Sequence, residues 1–218
     1  PAGLFDFAAL PGESALIVDV EAGVAHVAVD LEGASTGRIR SFDLSGNDPL
    51  PVGILEPPAR VFDLIVRESL LYAVGAGRFW IVDVSDPSLP TLLSETGLEY
   101  LGTDVGLIDD VAVVSIFGRQ SAIFDVADPA APSLITRGPS LGVFETSGSL
   151  IYHPAGSSLR VLDLSDPANP EVVGSASGVL AFFLDVDDCR VTTVSPFLPE
   201  ELRILPAHCM GTAAAPDD

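Results

Sequence analysis

The sequence predicts an all-β fold: a five-bladed β-propeller of ~40-residue, four-stranded repeats, with the N-terminal strand closing the last blade. Three observations carry this. First, one string recurs: RSFDLSGNDPLP (40–51), WIVDVSDPSLP (80–90), AIFDVADPAAP (122–132) and VLDLSDPANP (161–170). Its first acid is Asp43, Asp83, Asp125 and Asp163, at spacings of 40, 42 and 38 residues. Second, each repeat splits into four short runs of β-branched and aromatic residues between Gly, Pro and Asp breakers, the pattern of strands. Third, those runs are apolar on both faces, so both faces of each sheet are covered.

The second repeat shows the reading strand by strand. VFDLIV (61–66), LLYAVG (70–75) and RFWIVDV (78–84) precede an Asp-Pro turn, and TLLSET (91–96) follows it. Asp-Pro-x-x-Pro cannot continue a sheet interior, because each Pro lacks a donor. The first repeat carries the same elements with a small insertion around Gly46 and Asn47 and an enlarged loop, DLEGASTG (30–37). A fifth, degenerate copy places LRILPAHC (202–209) on LRVLDLSD (159–166), with Pro206 where Asp163 stands. Its outer strand is missing after Cys209, and GLFDFAAL (3–10) is expected to supply it. Closure of the ring would remove exposed edges. The expected domain spans residues 1–211, followed by a disordered tail, 212–218. The alternative is a segment of a larger propeller.

Composition agrees. The 218 residues are 48% apolar and 19% charged, too apolar for disorder and too poor in charge for a long coiled coil. No apolar run approaches the ~20 residues needed to span a bilayer. The net charge is −21, from 31 acids against 10 bases, all of them Arg. Such a surface repels nucleic acid and anionic membranes and favours cations and basic partners. The opening residues carry no signal-peptide pattern, as expected of a mature chain or a fragment.

The recurring strings resemble the LVIVD-repeat family of β-propellers. IVDVSDP (81–87) is an intact match, and LDLSDP (162–167) and FDVADP (124–129) are close to it. The resemblance covers nearly the whole chain, except for the fifth copy and the 30–37 insertion. It implies an extracellular or cell-surface microbial protein, and it implies location and fold more than chemistry.

Candidate chemistry centres on one acid per repeat. Aligning the second strands on His26, Tyr72, Val113, Tyr152 and Thr192 puts Asp19, Asp63, Asp104, Glu145 and Asp185 on the innermost strands. All lie at odd offsets, hence on one side of their strands. Converging carboxylates at a channel mouth could hold Ca²⁺ or a cationic ligand, or two of them could hydrolyse a glycoside. Their structural alternative is to accept backbone amides and knit the blades together. Arg40, Arg160 and Arg203 share a column and could neutralise some of these acids.

The remaining candidates read as structure. Asp43, Asp83, Asp125 and Asp163, with Asp86, Asp128, Asp166 and the counterpart Asp48, are expected to cap their own turns. His26, His153 and His208 lack zinc-ligand spacing. GPSLG (138–142) formally matches a nucleophile elbow at Ser140, but strands are expected on both sides and the elbow needs a helix. Cys189 and Cys209 fall in turns on the same face of the fifth blade, so a disulfide is expected, worth about 3 kcal/mol in the chain-entropy model. The function expected is a secreted or cell-surface binding and scaffold module. Its protein or glycan partner would sit on a propeller face, at the acidic channel mouth or at the 30–37 loop. The alternatives are a carbohydrate-active hydrolase and a structural spacer in a larger surface protein. Aromatic platforms for sugar are expected to be scarce, because most of the Trp, Tyr and Phe fall in core-like strand patterns.

Overall fold

A computed structural model describes residues 12–46, 48–179, 183–187, 190–195 and 201–206. The described residues form antiparallel sheets and no helix. The first sheet is β1 (Glu13–Glu21), β2 (Val24–Leu31), β3 (Gly37–Asp43) and β4 (Leu50–Leu55), paired in that order. The second is β5 (Val61–Arg67), β6 (Leu70–Gly75), β7 (Arg78–Asp83) and β8 (Thr91–Gly97). The third is β9 (Gly102–Ile108), β10 (Val111–Ile116), β11 (Ala122–Asp125) and β12 (Ser133–Arg137). The fourth is β13 (Glu145–Ser147), β14 (Leu150–Ala155), β15 (Ser158–Asp163) and β16 (Glu171–Ser177). The last described sheet has three strands, β17 (Phe183–Asp187), β18 (Arg190–Ser195) and β19 (Glu201–Pro206). The segment 3–10, the tail 212–218, His208 and both cysteines lie outside the described residues.

The recurring string forms the turn between the third and fourth strands. Asp83 Oδ1 accepts the Ser85 N–H at 2.9 Å, and Asp86 Oδ1 accepts the Ser88 N–H at 3.0 Å. The other copies repeat the first bond from Ser45 to Asp43, Ala127 to Asp125 and Ser165 to Asp163. They repeat the second from Ala130 to Asp128 and Ala168 to Asp166. The Ser85 and Ser88 hydroxyls, and then these N–H donors, hold the Asp83 and Asp86 carboxyls below the ordinary aspartate range, while the N–H donors lead in lowering Asp43 and Asp163. Asp48 lies in the corresponding turn of the first sheet.

A β-bulge recurs just before each of these turns. The register shifts between Ser41 and Phe42, Ile81 and Val82, Ile123 and Phe124, and Val161 and Leu162. The extra residue sits in the outer strand each time, at Val52, Leu93, Ile135 and Val173. A bulge strengthens the local right-handed twist, so the same twist is written into all four repeats.

The chain divides into two compact units, Pro1–Val105 with Asp110–Ser140, and Gly106–Asp109 with Leu141–Asp218. In the first, Ala28 and Ile39 pack with Leu64, Val66, Leu71, Trp80 and Val82. Trp80 is 2% exposed, and its Nε1–H donates to Glu95 Oε2 at 3.0 Å. Phe79 stacks on Phe124, centroids 5.3 Å apart. In the second unit, Leu150, Tyr152 and Leu159 pack with Val179, Leu184 and Val191.

Candidate functional site

The innermost strands carry the five predicted acids. Asp19 pairs across the ladder with His26, Glu145 with Tyr152 and Asp185 with Thr192, so these three share a register position. Asp63 faces Val74, two positions along, because Ile65 takes the place opposite Tyr72. Asp104 lies in β9. The Asp185 side chain is exposed, and the other four are partly buried.

Two of these carboxylates tie one sheet to the next. Asp19 Oδ2 accepts the Val66 N–H at 2.6 Å, while its Oδ1 takes the Val20 N–H at 2.8 Å. Asp63 Oδ2 accepts the Val105 N–H at 2.8 Å. Burial pushes the Asp63 carboxyl above its ordinary value, and the Asp19 charge adds to that push. The Val105 amide and a hydrogen bond with Asp104 pull the other way. Among the described residues, no group of three or more His, Cys, Asp or Glu side chains is arranged to hold a metal ion.

Glu21 adds a tie that the sequence pattern did not flag. Its Oε1 accepts the Glu68 N–H at 2.6 Å and its Oε2 the Ser69 N–H at 2.9 Å. Both donors lie in the β5–β6 turn at φ of 53° and 64°. Such a turn normally takes Asn or Gly, and here a carboxylate from the preceding sheet supports two residues that have Cβ atoms.

The enlarged loop of the first sheet borders a cavity of about 520 Å³, lined by Glu13, Asp30, Glu32, Gly33 and Arg60 among others. Arg60 Nε donates to Asp30 Oδ1 at 2.8 Å, and Arg60 Nη2 donates to Asp30 Oδ2. Glu13 Oε1 accepts from Arg38 Nη1 at 3.0 Å and Arg40 Nη2 at 2.9 Å. Arg40 therefore neutralises Glu13 rather than one of the five inner acids. Arg160 is exposed on β15, and the Arg203 side chain lies outside the described residues.

The histidines are packed side chains. His26 is 2% exposed, with Nδ1 3.0 Å from Ser41 Oγ. His153 is equally buried at 2%, and its Nδ1–H donates to the Pro154 carbonyl at 3.1 Å. Burial lowers both pKa values. Ser140 sits in the irregular link between β12 and β13, with no helix following it, so the nucleophile-elbow geometry is absent there.

The repeated four-stranded sheets define a β-propeller-like repeat protein. The model of the LVIVD repeat matches residues 60–96 and 155–177. They cover the second sheet and the outer strands of the fourth. No curated protein matches the chain. Among solved structures, a crystal structure of the computationally designed Ika8 protein is similar, with a TM-score of 0.57 at 10% identity. The match covers 83% of this chain and 67% of that one. At that identity the likeness shows the fold alone.

Proposed function

We propose that the chain is a secreted or cell-surface propeller module for binding and scaffolding, five blades closed into one domain by its N-terminal strand. The observation that supports it best is the use of Asp19 and Asp63. A hydrolase or a cation site would need these carboxylates open, and both accept main-chain N–H groups of the next sheet. They serve rigidity, and a rigid repeat presents its loops as a binding surface. The charged cavity beside the 30–37 loop is the place on the first sheet for a protein or glycan partner.

Closure is supported by two features. The last described sheet has three strands, one short of the others. Val18 and Val20 on β1 are 48% and 53% exposed, whereas the equivalent Leu64, Val66, Val105 and Leu107 are 4 to 8% exposed. GLFDFAAL (3–10), added as the fourth strand of the last blade, would complete a sheet able to cover them.

Fractionation of the source cells tests the location. Recovery from the medium or the cell surface supports the module, and recovery from the cytosol overturns it. Slow hydrogen exchange at residues 3–10 supports closure, and exchange at unfolded-chain rates excludes it. Turnover of nitrophenyl glycosides that is lost in Asp63→Asn would replace the binding reading with a hydrolase.

A further inference from the structure

We propose that Tyr100 and Phe117 form a platform for the pyranose rings of an uncharged glycan. This rests on the binding reading above and names its ligand. Tyr100 lies in the link between β8 and β9, and Phe117 opens the turn between β10 and β11. The Phe117 N–H donates to the Leu101 carbonyl at 2.9 Å, which fixes the two segments side by side. The ring centroids are 6.4 Å apart with 26° between their planes. The residues are 49% and 62% exposed, and no other described aromatic side chain is exposed.

Area selects the ligand. Two half-exposed rings offer roughly 200 to 300 Å² of surface. A stable protein interface needs about 800 Å² from each partner. Alone, the two rings fall well short of that footprint and match the area of one or two sugar rings. Charge points the same way. Glu99, beside Tyr100, is paired with Arg137 at 3.1 Å, and the exposed Arg119 lies two residues after Phe117. The spot is thus free of the acidic excess that marks the whole chain at −21, and a cationic partner would meet the Arg119 guanidinium. A pyranose needs no charge. Its C–H face packs on the electron-rich ring faces, and its hydroxyl rim meets Arg119, Gln120 and the Glu99–Arg137 pair.

The test is affinity electrophoresis of the full chain through native gels containing laminarin, xylan, glucomannan or hydroxyethyl cellulose. Retardation by at least one polysaccharide is expected, and added salt should not abolish it. Tyr100→Ala with Phe117→Ala should weaken the apparent affinity about tenfold or more at an unchanged thermal midpoint. Phe117→Tyr should keep it. No retardation in any gel overturns the glycan assignment and leaves the module's location untouched. Equal retardation of the wild type and the double variant overturns the platform and keeps a glycan-binding module with its site elsewhere. Retardation that vanishes with salt also overturns it, because a charged contact would then carry the binding.

Discussion

At the scale of single residues, the inner acids Asp19, Glu21 and Asp63 and the turn acids accept main-chain N–H groups. Glu21 holds both N–H groups of a turn whose residues, Glu68 and Ser69, sit in the left-handed region. That region costs a residue with a Cβ about 1–2 kcal/mol, so Ser69→Gly should raise stability by up to about 1 kcal/mol. Glu21→Ala should lower it by about 1 kcal/mol, since two exposed charge-assisted bonds are lost. Urea titration of the two variants checks both signs. Asp63 makes a sharper comparison. Asp63→Asn keeps a carbonyl oxygen for the Val105 N–H, whereas Asp63→Ala strands that donor and should cost about 1–3 kcal/mol. The alanine variant is thus expected to unfold well below the asparagine variant. With Asp19 and Asp63 spent on amides and no metal-holding cluster among the described residues, the wild-type midpoint is expected to be the same in EDTA and in millimolar Ca²⁺. A ligand at ~100 times its dissociation constant would add about 2.7 kcal/mol, so an upward shift would reinstate a cation site.

At the scale of elements, the turns, the sheets and the close approaches between sheets follow from the repeat to different degrees. The turns were legible, because Asp at the first and fourth positions followed by Pro has one economical use, capping its own loop. The shared side of Asp19, Glu145 and Asp185 was legible too, because a strand has a period of two. The recurrent bulge was not, because Val52, Leu93, Ile135 and Val173 look like ordinary strand residues until their partners are known. Nor were the Glu21 tie, the Arg60–Asp30 pair or the exposed Tyr100–Phe117 rings. Each joins segments whose proximity only the packed fold creates. Glycines show the same limit. A Cβ on Gly75 would fall on the Arg60 carbonyl, which accepts the Ala76 N–H, and one on Gly53 would fall on the Pro87 carbonyl. Both obstacles are backbone and cannot rotate away. Gly75→Ala and Gly53→Ala are each expected to cost about 3 kcal/mol or more. A midpoint within a degree or two of wild type for either variant would show that the sheets separate freely there.

At the scale of the whole molecule, the chain's response to acid is a sum of opposing titrations, and their signs can be assigned. His26 and His153 are buried with pKa values lowered from 6.5, so the unfolded chain takes up protons first. Their contribution falls as the pH drops from about 6.5 through the lowered values. Asp63 acts in the opposite direction. Its folded carboxyl is raised above 3.8, so between that value and 3.8 the folded state binds the extra proton and gains stability as the pH falls. The turn acids Asp43, Asp83, Asp86 and Asp163 are lowered from 3.8, so their contribution is complete above that pH and is lost below it. The relief of a −21 net charge accompanies all of these. Asp63→Asn isolates one component, because it removes a single titration and leaves the histidines, the turn acids and nearly all the charge in place. The thermal midpoint of the wild type should therefore rise relative to that of the variant as the pH is lowered from 7 toward 4. Below about 3.8 the two should fall together, since the turn acids lie in both compact units and are common to both proteins. Parallel curves over the whole range would mean that Asp63 titrates as an exposed carboxylate, and its place as a buried tie between the second and third sheets would be lost.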